Sequence, residues 1–149
     1  MKRNERLSVA LHALLHLALR PTAAMTSAEM AVCIGTDSAV IRRTLSGLRD
    51  AKILSSVKGH GGGWQLSRPL SELSLGDVQD ALGTKIFKVS TPRDESPGCL
   101  IERAVHHVLD DAVNQASRFL DERLAAVSLA DIAADVAARD RLNQLDKHS

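Results

Sequence analysis

Aromatic residues are almost absent from this chain of 149 residues, which has no tyrosine, one tryptophan and two phenylalanines. Strands favour aromatic and β-branched side chains, so this scarcity argues against an all-β core. The apolar residues, 44% of the chain, are mainly Ala, Leu, Val and Ile, which suit packing between helices. We therefore predict one mainly α-helical core, in a chain long enough to add a dimerising appendage.

Cysteine is scarce as well, and the two that are present, Cys33 and Cys99, lie far apart in the sequence. This number and spacing match neither a disulfide framework nor a zinc-ligand pattern. Long apolar runs are also missing, because no stretch reaches the roughly 20 residues that a membrane span requires. We expect a cytoplasmic protein with no membrane partner and no metal site, and we place Cys33 in the core.

The apolar run 7–19 follows basic residues, as the apolar part of a secretory signal does. His12 and His16 interrupt the run, however, and Arg20 and Pro21 close it. Its apolar residues also recur at intervals of three and four, which is typical of one buried helical face. We interpret the run as the first helix of the core.

Net charge is nearly absent from the whole chain, at +1, but its two halves differ. Up to Arg68 the sequence has ten basic and four acidic residues, a balance of +6, which leaves −5 for the remainder. This asymmetry predicts that the first half binds a polyanion and that the second half has a different function.

Two short helices joined by a glycine turn are predicted within the basic half. Thr26 and Glu29 have the spacing of a capping box, which begins a helix. Gly35 suits the left-handed turn that ends this helix, and Thr36 or Asp37 can cap the next one. This order is the signature of a helix-turn-helix.

The second helix of the pair has Ile41, Leu45 and Leu48 on one face, at the spacing of a buried stripe. Its opposite face should be exposed and suits the major groove of DNA, because small residues allow close approach and basic residues reach phosphates and guanines. The residues that we predict to contact DNA here are Ser27, at the start of the first helix, and Ser38, Ala39, Arg42, Arg43, Ser46 and Arg49.

A β-hairpin should follow, since Ile53, Ser55 and Val57 alternate as a strand does and Trp64 and Leu66 alternate again. Its basic, glycine-rich tip suits contact with the DNA backbone or the minor groove. The tip residues that we predict to contact DNA are Lys58, His60, Gly61, Gly62 and Gly63. A winged helix can instead bind protein as an adaptor, and salt-sensitive binding to duplex DNA would separate these two functions.

A fourth short helix is predicted between Ser74 and Asp77, which can cap it, and Gly83, which can end it. Residues 1–83 would then form a winged helix-turn-helix domain. The segment 84–98 contains two prolines and charges of both signs, and we predict a linker or effector loop there.

From Leu100 the chain is predicted to be helical for roughly 27 residues, or about 40 Å. The apolar stripe of this helix is too wide for one contact, so one side could cover the first domain while the other packs on a second copy. Ser128 and Asp131 can cap a last helix. We predict a dimerisation helix and a short terminal helix over 99–138, a polar tail over 139–149, and dimer contacts at Ile101, Val105, Val108, Ala112 and Phe119.

Several motifs carry a family resemblance that reaches to about Ala134: the run 7–12, the Arg42-Arg43 pair with the leucines after it, the wing 59–64, and the segments 66–69, 75–78 and 128–131. Together they resemble the Rrf-type (IscR/NsrR/CymR-like) winged helix-turn-helix transcriptional regulators. The resemblance implies a homodimeric bacterial transcription factor, usually a repressor, whose long fifth helices cross at the dimer interface. Its partners would be an operator in double-stranded DNA and a second copy of itself.

Relatives that hold an iron–sulphur cluster use three cysteines in and around the loop before the long helix. Here only Cys99 matches, and although His12 matches a ligand position of some relatives, Ser8 stands where their acidic ligand would be. These residues supply too few thiolates for a cluster. We therefore expect a family member without the three-cysteine motif and without a cofactor, with an iron–sulphur regulator of atypical ligands as the alternative.

Cys99 itself is open to two interpretations. It could be a redox-sensitive or effector-responsive residue, since the start of a helix favours the thiolate, or a small buried hydrophobe retained from a cluster-binding ancestor. The signal that we expect is a redox change or a small-molecule effector. An enzyme is not expected, because no nucleophile with its base, carboxylate pair or nucleotide-binding loop is recognisable.

Overall fold

The computed structural model describes residues 5–83 and 99–146, so the predicted loop 84–98 lies outside the described residues. The elements in chain order are α1 (Glu5–Ala18), α2 (Ser27–Ile34), α3 (Ser38–Asp50), β1 (Leu54–Val57), β2 (Gly63–Leu66), a 3₁₀ turn (Leu70–Glu72), α4 (Leu75–Leu82), α5 (Leu100–Ala125) and α6 (Leu129–Asp146). This is the mainly α-helical, winged helix-turn-helix architecture that the sequence predicts. Of the helices described, none combines the length and apolar character needed to cross a membrane.

The core of the first domain lies between α1, α3 and α4. Leu14 of α1, Ile41 and Leu48 of α3 and Val78 of α4 are fully buried. The stripe predicted on α3 is therefore confirmed as its inward face. Burial of such a side chain contributes about 1.5–3 kcal/mol, which fixes how α3 is rotated and which residues it presents to solvent.

In the helix-turn-helix, α2 begins and ends where the sequence predicts, and α3 begins at one of the two predicted caps. The Thr26 hydroxyl accepts a hydrogen bond from the Glu29 backbone amide at 3.2 Å, and the Glu29 carboxylate accepts one from the Thr26 backbone amide at 2.7 Å. This reciprocal pair completes the capping box. The Thr26 hydroxyl also donates to the Glu29 carboxylate, at 3.0 Å. The two hydrogen bonds that this carboxylate accepts, first the one from the Thr26 backbone and then the one from the Thr26 hydroxyl, hold the pKa of Glu29 below its usual value. Gly35 ends α2 with φ at 77°, and Asp37 rather than Thr36 caps α3 by accepting a backbone amide at 2.7 Å.

The predicted hairpin forms with the predicted alternation of Trp64 and Leu66 in its second strand, but the alternation of the first strand is shifted by one residue. β1 and β2 pair antiparallel with Leu54 opposite Leu66. Leu54 and Trp64 are buried on the inward face, whereas Val57 is 42% exposed. Ile53 is also buried, but it precedes β1 and belongs to the turn after α3, so it does not share a strand face with Val57.

The corner between α5 and α6 is attached to the first domain through backbone hydrogen bonds. The Leu75 amide donates to the Val127 carbonyl and the Leu129 amide donates to the Leu73 carbonyl, each at 2.9 Å. The Leu129 side chain is only 1% exposed. The Ser128 hydroxyl accepts a backbone amide at 3.1 Å, as predicted for the cap of α6. The C-terminal end of α5 is thus fixed to the first domain.

The last helix is longer than the sequence predicts. In place of a polar tail from residue 139, α6 continues to Asp146. Arg139 pairs with Asp135 at 2.8 Å, and the Gln144 amide donates to Asp140 at 3.1 Å, each across one helical turn. Pairs at this spacing stabilise an exposed polar helix by about 0.2–0.5 kcal/mol each.

Candidate nucleic-acid interface

The outward face of α3 carries the polar residues that the sequence assigns to DNA. Within the part of the chain that the structure describes, Arg42 and Arg43 have no acidic side chain within 4 Å. Arg49 pairs with Asp50 at 3.5 Å, and both groups are exposed, so the pair restrains Arg49 little. The face therefore offers three guanidinium groups that an anion could engage. Ala39, Arg42, Arg43 and Arg49 are exposed, and Ser38 and Ser46 are half-buried.

Arg42 and Arg43 lie on different sides of α3, because consecutive residues of a helix are about 100° apart. Arg42 is on the side of Arg49, which faces the hairpin. Arg43 is on the side of Val40, where both residues line a groove beside α1. The two arginines that the sequence presents as a pair therefore reach different parts of a ligand.

Two serine hydroxyls at this surface keep different hydrogen-bonding capacities. Ser46 donates its proton to the Arg42 carbonyl at 2.7 Å, so its oxygen can only accept further bonds. An acceptor suits the amino group of adenine or cytosine rather than a phosphate. Ser27 accepts the indole N–H of Trp64 at 2.9 Å and keeps a proton to donate, which suits a phosphate.

Trp64 joins the three parts of the interface, a role that the sequence did not indicate. Its indole nitrogen donates to Ser27 of α2, and its ring centroid lies 5.9 Å from the Arg49 guanidinium carbon of α3. Its backbone exchanges two hydrogen bonds with Met25, of 2.7 and 3.1 Å, so the hairpin is anchored to the segment before α2. The only available signal was a lone tryptophan at the base of a basic hairpin. Its partners lie too far away in sequence to be predicted.

The tip of the hairpin presents Lys58 and His60 to solvent. Gly61 is exposed, and a side chain at that position would meet open space. Gly62 differs, because its amide donates to the Gly59 carbonyl at 3.0 Å and so is not free for a phosphate. The predicted contact of Gly62 with DNA therefore cannot use its backbone amide, because that amide holds the turn together.

Gly63 is required by the fold, and its replacement provides a test of the hairpin's attachment. A Cβ at Gly63 would lie 2.4 Å from the Met25 carbonyl oxygen. Gly63→Ala is therefore expected to lower the free energy of unfolding by roughly 1–3 kcal/mol more than Gly61→Ala does. Gly61 is the matched control, because it also has a positive φ, 71°, but no neighbour to clash with. Urea unfolding followed by Trp64 fluorescence measures both, and equal losses would contradict the assigned role of Gly63.

The residues predicted for dimerisation form one bare stripe along α5, called here the α5 stripe: Ile101, Val105, Val108, Ala112 and Phe119. All five are exposed, Ile101 by 76% and Val108 and Phe119 by 66% each. The half-buried apolar residues of α5 lie on a different side, which includes Leu120 and Leu124. In the single chain, therefore, no part of the described structure buries the α5 stripe.

Both cysteines are exposed free thiols. The prediction that Cys33 lies in the core was wrong, because α2 turns Met30 inward and leaves Cys33 about 60° off that direction, at the edge of the short helix. Cys99 occupies the N-cap position of α5, with no hydrogen bond from its side chain to the helix. Its exposure contradicts the interpretation of Cys99 as a buried hydrophobe.

The donor groups of the chain do not fit an iron–sulphur cluster. Cluster irons are held chiefly by cysteine thiolates, whereas Cys33 and Cys99 are the only cysteines and lie on separate elements. Among the described residues, no three or more His, Cys, Asp or Glu side chains are grouped as a metal site. His12 lies exposed on α1.

Comparison with known proteins connects this geometry with transcriptional regulation. A family model described as Rrf2, iron-dependent transcriptional regulator, matches residues 3–135. A candidate HTH-type transcriptional regulator of Bacillus subtilis (strain 168), YwnA, is 29% identical over 130 residues, which are 87% of this chain and 95% of YwnA. The crystal structure of a candidate transcriptional regulator from Lactobacillus plantarum has a TM-score of 0.77 and 26% identity, over 96% of this chain and 97% of that one. IscR of T. potens shares the fold, with a TM-score of 0.67 and 21% identity, over 91% and 88% of the two chains.

Proposed function

Because the chain belongs to the Rrf2 family of transcriptional regulators, we propose that it represses genes as a homodimer that binds operator DNA with α3 and the hairpin. Family membership makes it a regulator and not an enzyme. The observation that carries the proposal is the outward face of α3, where Arg42 and Arg43 have no acidic partner in the described chain and Trp64 fixes the hairpin beside them. In this arrangement α3 enters the major groove and Lys58 and His60 reach the backbone or the minor groove.

A dimer is supported by the α5 stripe. Its residues follow one another at intervals of four, three, four and seven, the pattern of a helix that packs against another helix. A bare apolar surface of this kind marks an interaction site in a soluble protein. A second copy is the simplest occupant, because a two-fold axis brings the same stripe of both chains together. The two α3 helices would then meet half-sites separated by one helical turn of DNA, roughly 34–36 Å.

The rival function is a protein-binding adaptor that uses the same surface. Contacts to phosphates release counterions, so DNA binding through several arginines and lysines falls steeply as salt rises. We expect the affinity for duplex DNA to decrease linearly on a double-logarithmic plot against salt concentration. Absence of binding to any duplex at low salt would favour the adaptor.

The signal is proposed to be a redox change or a small molecule that acts at Cys99, without a metal cluster. The family description names iron, but the cysteine content of this chain does not fit a cluster. Cys99 suits a sensor because it is exposed at the first turn of α5, the helix proposed to hold the dimer together. The cytoplasm, where thiols stay reduced until a signal oxidises them, suits such a sensor.

This proposal predicts that protein purified without oxygen is colourless and holds no stoichiometric iron. Mild peroxide should change the affinity for operator DNA in the unaltered protein and leave Cys99→Ser unaffected, since the sulfenic acid forms on the thiolate. Cys33→Ser is the matched control, because Cys33 is also exposed but lies on α2. Visible absorbance from bound iron would refute the absence of a cluster, and equal peroxide responses in all three proteins would remove Cys99 as the sensor.

A further inference from the structure

A groove separates the first turn of α1 from the middle of α3, on the side of α3 opposite the hairpin. Its volume is about 340 Å³, and its described lining consists of Glu5, Arg6, Val40, Arg43 and Thr44. Neither the family resemblance nor the helix-turn-helix geometry assigns it a function. It adjoins the face of α3 proposed to meet DNA, because Arg43 belongs to both.

The charges along the described lining of the groove favour an anion. Arg6 and Arg43 are both exposed, and no acidic side chain of the described residues lies within 4 Å of either guanidinium group. Glu5 opposes them with one negative charge, so the described lining has a net charge of +1. Guanidinium groups bind phosphate oxygens with two parallel hydrogen bonds, which is why two of them at one groove suit a phosphate better than a neutral ligand.

Thr44 supplies an independent observation at the same groove. It is 1% exposed, and its hydroxyl has no hydrogen-bond partner in the described part of the chain. Buried hydroxyls of native proteins are nearly always paired, and an exception commonly marks a place where an ordered water or an ion completes the set. Thr44 lines the groove, so a water molecule between its hydroxyl and a polar occupant would supply the partner that the described chain does not provide.

The geometry points to a phosphate site in this groove, where Arg6 and Arg43 hold one phosphate of the operator backbone at the edge of the major groove. The inference rests on the proposed function and divides the two neighbouring arginines of α3. Arg42 faces the bases, whereas Arg43 turns aside to join Arg6 on the backbone. A phosphate contact positions the protein without reading sequence, so this site contributes equally on any duplex.

Three variants test the site: Arg6→Ala, Glu5→Gln and the control Arg103→Ala, which removes an exposed arginine of α5. Binding to operator DNA and to unrelated duplex DNA is measured over a series of salt concentrations. Arg6→Ala should weaken both about tenfold at low salt, the order expected for one charge-assisted contact, and reduce the salt slope by about 0.9. Glu5→Gln should strengthen both, because it removes a charge that repels the phosphate.

The outcomes separate this site from the proposed function. If the unaltered protein binds no duplex, the proposed function itself fails. If it binds but Arg6→Ala matches Arg103→Ala in affinity and slope, only the groove assignment is overturned, as it also is if Arg6→Ala weakens operator binding alone. Thermal unfolding of each variant without DNA verifies that it is folded.

A free anion is the other source of the same chemistry. Inorganic phosphate and chloride are compared at equal ionic strength, without DNA, by thermal unfolding of the unaltered protein and Arg6→Ala. Phosphate also stabilises folded proteins in general, because it is excluded from their surface. The DNA assignment therefore predicts that phosphate raises the midpoint by the same amount in both proteins, together with the change in salt slope. A larger stabilisation by phosphate in the unaltered protein than in Arg6→Ala, with an unchanged slope, would instead identify a site for a free anion.

Discussion

The Arg42→Ala/Arg43→Ala variant is expected to lose roughly 1–3 kcal/mol of operator binding for each base contact removed, which is about 5- to 150-fold in affinity. Removal of the Arg43 phosphate contact adds to this loss. Both side chains are exposed and unpaired within the described chain, so the free energy of unfolding should stay unchanged. Fluorescence titration with labelled operator DNA measures the affinity.

The two single variants separate base contacts from phosphate contacts. Arg42→Ala should weaken operator binding more than binding to unrelated DNA, since only base contacts discriminate between sequences. Arg43→Ala should weaken both alike. Arg118→Ala, an exposed arginine of α5, controls for the loss of one positive charge. An unchanged affinity of the double variant for operator DNA would contradict the assignment of α3 as the recognition helix.

A charge placed in the middle of the α5 stripe should have the second large effect. Val108→Asp is expected to dissociate the dimer, because an ionised carboxylate buried without a partner costs several kcal/mol. Its affinity for the full operator should then approach that of one half-site, since the two domains no longer bind as a linked pair. Light scattering at micromolar concentration measures the mass.

The control for this variant is Asn114→Asp, which introduces the same charge on the solvent side of α5, more than 100° from the α5 stripe. It should remain dimeric. Two results would contradict the proposed interface: a monomer at micromolar concentration in the unaltered protein, or a Val108→Asp variant whose mass equals that of the control.

Local chemistry explains why much of the fold could be predicted from the sequence. The capping boxes at Thr26 and Ser74 and the left-handed glycines at the ends of α2 and α4 act within four residues, so their patterns are complete in the sequence. The stripe of α3 was equally predictable because helical spacing alone defines it. These local features are sufficient to place the arginines of α3 on its outward face.

The errors arose where distant contacts decide. Whether Cys33 is buried depends on the angle at which α2 packs on the domain. Val32 beside it is 84% exposed, although its apolar side chain suggests a core residue. Trp64 bonds to Ser27 across 37 positions, a contact that no local pattern encodes. The division between Arg42 and Arg43 also required the position of α1, because only that helix makes a groove out of one side of α3.

The central claim is that a symmetric dimer binds DNA with α3 and its hairpin. Nuclease protection tests this claim most directly. Duplex fragments are first selected by the unaltered protein at low salt, and the bound fragment is then footprinted. We predict two protected half-sites of inverted sequence, roughly 10–10.5 base pairs apart from centre to centre, and loss of both in the Arg42→Ala/Arg43→Ala variant. Selection of no fragment, or protection that persists unchanged in that variant, would contradict the account.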